Sequence, residues 1–260
     1  MKMQLARRGQ GGFTLVEMAV VLVIIGLILG AVSIGKDVQR NAEYTKIKQK
    51  FIDQWSIAYN TYTQRTGVVP GDSQIQPRLM VNGENYAAAG GAPISGGNMT
   101  GVTPPDAICR GSAGQKMARG MQTGADFDLR TMMQRAGVRM PPGRAEGSED
   151  RYVYLDSNGN PQEVQVCFEW NAPDDPAGAG NVMVISGLTP DLARSLDQMI
   201  DGKPDAREGL FRQEGVDNST SGAPGTQWSL TNTAKYGGSA TSNLDEDQVD
   251  VVVANLKMNQ

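Results

Sequence analysis

The chain has 260 residues, with 24 Lys and Arg against 28 Asp and Glu, a formal net charge of -4, and no histidine. Lack of histidine removes Ser-His-Asp and Cys-His catalysis together with the commonest zinc ligand, and the acidic balance offers nucleic acid no broad electrostatic attraction. Neither standard phosphate-binding glycine spacing occurs, so no cofactor is expected and the chain does not read as an enzyme.

The first twelve residues carry Lys2, Arg7 and Arg8 and no acid, ending in Gly11-Gly12. They read as a leader, residues 1–12, held in the cytoplasm by the positive-inside bias. From Phe13 to Gly35 the chain is apolar apart from Glu17. As a helix at about 1.5 Å per residue that run spans roughly 34 Å, enough for one crossing of a bilayer whose hydrocarbon is roughly 30 Å thick. A removable secretory signal has a shorter apolar core, with small residues at its far end. Here the small residues precede the run, so a cut after Gly12 removes the charged leader and keeps the membrane helix, residues 13–35.

An acid in a membrane helix costs a few kcal/mol and marks a function with a partner nearby. A cut after Gly12 frees the amino group of Phe13, a positive charge about one turn from Glu17 in the same helix, or one that a neighbouring copy brings to it. The alternative is a carboxylate that only snorkels to the headgroups. Gly26 and Gly30 form a Gly-x-x-x-Gly pair suited to close helix approach, although glycine is also simply common in membrane helices.

The string Gly12, Phe13, Thr14, Leu15, Glu17, continued by Val20-Val21-Leu22-Val23-Ile24-Ile25-Gly26-Leu27, resembles the type IV pilins and the type II secretion pseudopilins. The resemblance is strong from Arg8 to Lys36. It implies that a prepilin peptidase cuts between Gly12 and Phe13 and methylates the new amine of Phe13. It also implies that Glu17 aligns subunits leaving the inner membrane, through an assembly platform, for a helical filament of like or related copies. Many type IV pilins carry a proline within this helix, and here none occurs between Met1 and Gly67.

Beyond the apolar run, Val38, Ala42, Tyr44, Ile47, Phe51, Trp55, Ala58, Tyr59 and Tyr62 recur at helical spacing between charged residues. Residues 36–66 therefore read as an amphipathic continuation, making one helix from Phe13 to Thr66 of roughly 80 Å, against which a head, residues 67–260, packs. Thr66-Gly67 and Val69-Pro70-Gly71-Asp72 stop the helix and turn the chain. The stretch Gln74–Gly124 is rich in Gly, Pro, Ala and Ser and reads as long surface loop with little regular structure. A short helix is expected over Asp126–Ala136.

Tyr152–Leu155 and Val164–Phe168 alternate as the strands of a hairpin. The Asp156, Asn158 and Asn160 between them only superficially match a calcium loop, since the glycine is misplaced and the closing acid is missing, and no metal site is expected. Asn181–Ile185 reads as a third strand, Pro190–Ile200 as a helix, Leu210–Arg212 as a fourth strand, Gly215–Asn243 as a polar stretch, and Val249–Leu256 as a last strand. The segment Leu196-Asp197 to Asp201-Gly202-Lys203-Pro204 looks like one found in many minor pilin-like proteins. Its acids, with Asp174-Asp175 and Asp245-Glu246-Asp247, read as solvated turns. Arg110, Lys116, Arg119, Arg130, Arg135, Arg139 and Arg144 gather positive charge in the centre, read as a surface for subunit contacts rather than for DNA.

Cys109 and Cys167 are the two cysteines. In a head outside the inner membrane they are expected to form a disulfide, with two free thiols as the alternative. The fold class that follows is α+β, a long amino-terminal helix on a carboxy-terminal antiparallel β-sheet head in the periplasm. The function that follows is a filament subunit of an extracellular pilus, with a periplasmic type II secretion pseudopilin and a non-polymerising membrane-anchored binding protein or adhesin as alternatives.

Overall fold

A computed structural model describes residues 14–86, 99, 102–109, 121–122, 128–215, 227–228 and 251–258. The chain forms two compact units, Met1–Ala42 and Glu43–Gln260.

Helix α1 runs over Leu15–Ile47, a π-helical turn over Lys48–Ile52, and α2 over Asp53–Thr66. Together they make one helical element of 52 residues, Leu15–Thr66, long and apolar enough in its first part to cross a membrane. In the first unit every residue from Thr14 to Val38 is exposed, Leu15 to 87 %. Glu17 stands alone as an acid in that stretch as far as Asp37.

In the second unit the helical face turns inward at Tyr44 and continues through Ile47, Phe51, Ile52, Trp55, Ala58 and Tyr59, all buried. Val38 and Ala42, which share the sequence periodicity, are exposed, so the inward stripe is shorter than its pattern. The π-helical turn accommodates an extra residue within the helix, and the adjacent pair Phe51 and Ile52 is buried there. Gly67 ends α2 in the left-handed conformation at φ 79°, its N–H donating to the Thr63 carbonyl, as the Thr66-Gly67 stop signal predicts.

Seven strands are described, β1 (Ala107–Ile108), β2 (Met121–Gln122), β3 (Arg151–Leu155), β4 (Pro161–Asn171), β5 (Gly180–Leu188), β6 (Phe211–Gln213) and β7 (Val252–Lys257). They form one sheet in the order β2-β1-β4-β5-β7-β6, with β3 also paired to β4. All pairings are antiparallel except the short parallel β1/β2 pair. The expected hairpin is present, Tyr152 opposite Val164 and Leu155 opposite Pro161, and its second strand extends beyond the expected end to Asn171. Between the strands, one oxygen of Asp156 accepts the N–H groups of Asn158 and Asn160, each at 2.8 Å. That carboxylate closes the turn.

Alternation along β4, β5 and β7 places apolar side chains on both faces of the sheet. One face carries Val166, Phe168, Met183, Ile185, Val252 and Ala254 into the main core with the helix residues. There the Phe168 ring lies 6.1 Å from Trp55, edge on, and 5.1 Å from Tyr59. The other face carries Ala107, Cys109, Cys167, Val182, Val184 and Val253 in a second cluster. Central strands buried on two sides read as continuous apolar runs, and Val164 through Ala172 is buried without a break.

The described parts of the middle stretch, residues 74–86 and 102–109, carry buried residues that its composition does not suggest. Met80, Val81, Tyr86, Ala107 and Ile108 are buried. The Asn181 side chain accepts the Val81 N–H and donates to the Leu79 carbonyl, each at 2.9 Å, tying that segment to β5. The short helix expected over Asp126–Ala136 appears as α3, Leu129–Arg135, with the Asp128 carboxylate accepting the Arg130 N–H at 3.0 Å as its N-cap. Residues 126 and 127 lie outside the described residues. Helix α4 covers Pro190–Asp201, with proline in its first turn and Leu192, Ala193 and Leu196 buried.

Candidate assembly site at the amino terminus

Thr14 and Glu17 form a capping box at the start of α1. The Glu17 Oε2 accepts the Thr14 backbone N–H at 2.8 Å and the Thr14 hydroxyl at 2.9 Å, and the Glu17 N–H donates to the Thr14 Oγ1 at 3.3 Å. The Thr-x-x-Glu spacing produces this arrangement because residues three apart lie on one face of the first turn and each side chain reaches the other's backbone N–H. An acid at this position also faces the positive end of the helix dipole. All three groups are exposed, so the carboxylate is held in place but open to a further cation. The role of Thr14 was missed at the sequence level, although Thr-x-x-Glu before an apolar run is its usual signature. Gly12 and Phe13 lie outside the described residues.

Gly26 and Gly30 lie on the exposed part of α1, and a Cβ added at either meets nothing within 4 Å. The fold of the single chain therefore does not require glycine at these two positions.

Residues 7–33 match the family model of the prokaryotic N-terminal methylation motif. That match supports a type IV pilin or pseudopilin-type prepilin. The motif implies processing by prepilin peptidase and assembly with other pilin subunits, and its family points to a structural protein, not an enzyme. The long apolar helix and the motif suit an inner-membrane anchor. Comparison with curated proteins and with solved structures finds no match.

In the second unit the two cysteines are joined. Cys109 directly follows β1 and Cys167 lies in β4, with Cα atoms 4.9 Å apart. The pairing of Ile108 with Phe168 brings them together, and both are buried in the second cluster. The bridge ties the irregular middle stretch to a central strand.

The other candidate groups resolve differently. Arg130 lies 3.5 Å from Glu149 and 3.7 Å from Glu146, and Arg144 lies 2.7 Å from Glu163, which also meets Arg151 at 3.0 Å. Part of the central positive charge is thus neutralised within the head. Arg110, Lys116 and Arg119 lie outside the described residues, as do Asp245, Glu246 and Asp247. Asp175 closes its own turn by accepting the Ala177 N–H at 2.8 Å. Asp197 is not in a solvated turn, contrary to the sequence reading. It is fully buried, because Trp228, 31 residues further on, packs over it.

Proposed function

We propose that this prepilin is a structural subunit of a type IV pilus-like filament. Prepilin peptidase removes residues 1–12 and methylates the freed amine of Phe13. Residues 13–35 then hold the subunit in the inner membrane, residues 36–66 continue the helix, and residues 67–260 form the periplasmic head. An assembly platform extracts the subunit into a filament in which Glu17 neutralises the amino terminus of a neighbouring copy. Gly26 and Gly30 let neighbouring helices pack closely.

The observation that carries this reading is the Thr14–Glu17 capping box. It orients a single exposed carboxylate at the head of an apolar helix whose described side chains are exposed within the first unit. Any helix gains a cap from such an acid, whereas a subunit that must align with a neighbour's amine gains in addition a charge partner that is favourable only in one register. Glu17→Ala protein should remain cleaved and membrane-bound but be depleted from sheared filaments. Undiminished incorporation would refute the pairing. Recovery of the subunit in fibres sheared from the cell surface separates a pilus from a periplasmic pseudopilus.

A further inference from the structure

The corner between α4 and β6 contains a buried acid that filament assembly leaves unused. Asp197, in the second half of α4, is 0 % exposed. Its Oδ2 accepts the Trp228 indole N–H at 2.7 Å and the Asp205 backbone N–H at 2.6 Å. Its Oδ1 is buried and has no hydrogen-bond partner among the described residues. Leu196, Ala206, Phe211 and Trp228, all buried, supply apolar walls, and the Trp228 ring lies 5.1 Å from Phe211.

One helical turn on lies the half-buried Asp201, at the i+4 spacing that sets two side chains on one helix face. The Asp201 Oδ2 accepts the N–H groups of Leu210 and Phe211, each at 2.9 Å. The charged groups around the pair are otherwise engaged. Asp205 accepts from Lys203 at 3.4 Å and from the Arg207 N–H at 3.0 Å. Lys203 also lies 3.9 Å from Glu208. Arg212 on β6 bonds the carbonyls of Gly209 and Pro176, while Glu214 accepts from Asn255 of β7 at 2.7 Å. Among the described residues no cation is bonded to Asp197 or Asp201.

A carboxyl buried among apolar side chains, with a second carboxyl on the same helix face, ionises only at a large penalty. Asp201 already accepts two backbone N–H groups. The Oδ1 of Asp197, which lacks a donor, is the better place for a proton. We propose that the buried Asp197 carboxyl keeps its proton, with the half-buried Asp201 beside it on α4, and that this proton keeps Trp228 seated against Phe211 and α4.

Burial raises the Asp197 carboxyl most, repulsion from Asp201 adds to it, and the Trp228 and Asp205 donors only partly offset them, leaving it at about 7. When the proton leaves, the second negative charge is relieved only by water. Among the described residues it is the Trp228 indole that covers this carboxyl, and its movement admits water. An open Asp197 has an ordinary carboxyl value, so the ratio of open to seated Trp228 rises by up to about tenfold per pH unit between that value and about 7, and levels off above it.

The test uses full-length protein in detergent micelles, titrated from pH 5 to 9 while tryptophan emission and the protonated-carboxyl infrared band are followed. The wild type should show one emission step near neutrality together with loss of the carboxyl band. Trp228→Phe should lose the emission step but keep the infrared change. Asp197→Asn, whose amide presents a carbonyl to Trp228 and an N–H to Asp201, should lose both. Asp201→Asn keeps an acceptor for Leu210 and Phe211 and should move the step toward acid by about one pH unit or more. A wild type without either change, a step that persists in Asp197→Asn, or a midpoint unmoved in Asp201→Asn would overturn the proposal.

Discussion

The Tyr44 hydroxyl donates to the Asp191 carboxylate, joining the last turn of α1 to the first turn of α4. Burial alone pushes the Asp191 carboxyl up. Hydrogen bonds from Thr189, Tyr44 and the backbone N–H groups of Asp191 and Leu192 outweigh it and hold the carboxyl below its ordinary value. A depressed carboxyl stabilises the fold above its unfolded value, and that contribution is lost as pH falls through the folded value.

Tyr44→Phe is therefore expected to cost about 1.5–3 kcal/mol near pH 7, as for a hydrogen bond to a charged group. The cost should shrink in acid, once Asp191 is protonated in both forms. Urea unfolding at pH 7 and at pH 3 measures the difference. An equal loss at the two values would mean that the phenol acts by packing alone.

Trp55 is buried, packs edge on against Phe168, and donates its indole N–H to the Glu149 carbonyl at 3.2 Å. Trp55→Ala removes the ring and leaves a cavity the sheet cannot fill, an expected loss of about 3–5 kcal/mol. Trp55→Phe keeps most of the volume and should cost less. Chemical denaturation of both variants gives the comparison.

Breaking the Cys109–Cys167 bridge with Cys109→Ser and Cys167→Ser together should cost about 2–4 kcal/mol, because the unfolded chain regains the freedom of a closed loop spanning a separation of 58 residues. Peptide mapping without reductant should recover the two cysteines in one linked fragment. Thiols reactive in protein taken from the periplasmic side would contradict the bridge.

Gly187 sits where the register of β5 against β7 shifts between Ile185 and Leu188, with φ at 81°. A Cβ there collides with the backbone carbonyl of Glu163 on β4. Gly67 has a similar φ of 79° but open space around it. Gly67→Ala pays only for the left-handed backbone, about 1–2 kcal/mol, whereas Gly187→Ala must also displace a central strand. Thermal melts should rank Gly187→Ala clearly below Gly67→Ala, and equal melting temperatures would show that β4 yields without cost.

If the capping box positions Glu17, Thr14→Val should remove the hydroxyl that donates to its carboxylate and accepts its N–H, leaving the Thr14 backbone N–H in place and keeping the side-chain shape. Thr14→Ser keeps both. Subunit incorporation into sheared filaments is expected to fall for Thr14→Val, less than for Glu17→Ala, and to be kept by Thr14→Ser.

What the sequence by itself determined is what short-range pattern determines. The apolar run with one acid, the Gly67 helix stop, the alternating hairpin around Asp156 and the amphipathic Pro190–Asp201 helix are each set by residues a few positions apart, so periodicity and capping chemistry reveal them. The Thr14–Glu17 box belongs to the same class. Tertiary structure decided what depends on distant partners. Strands β1 and β2 are two residues each, too short to carry a period, and exist because the sheet beside them offers unpaired backbone. The burial of β4 on two faces requires helix residues on one side and the Cys109–Cys167 cluster on the other. Asp197 has the local appearance of a surface acid on a helix ending in Gly202. Its burial comes from Trp228 and the turn at Asp205, and no window of neighbouring residues contains the ring that excludes water from it.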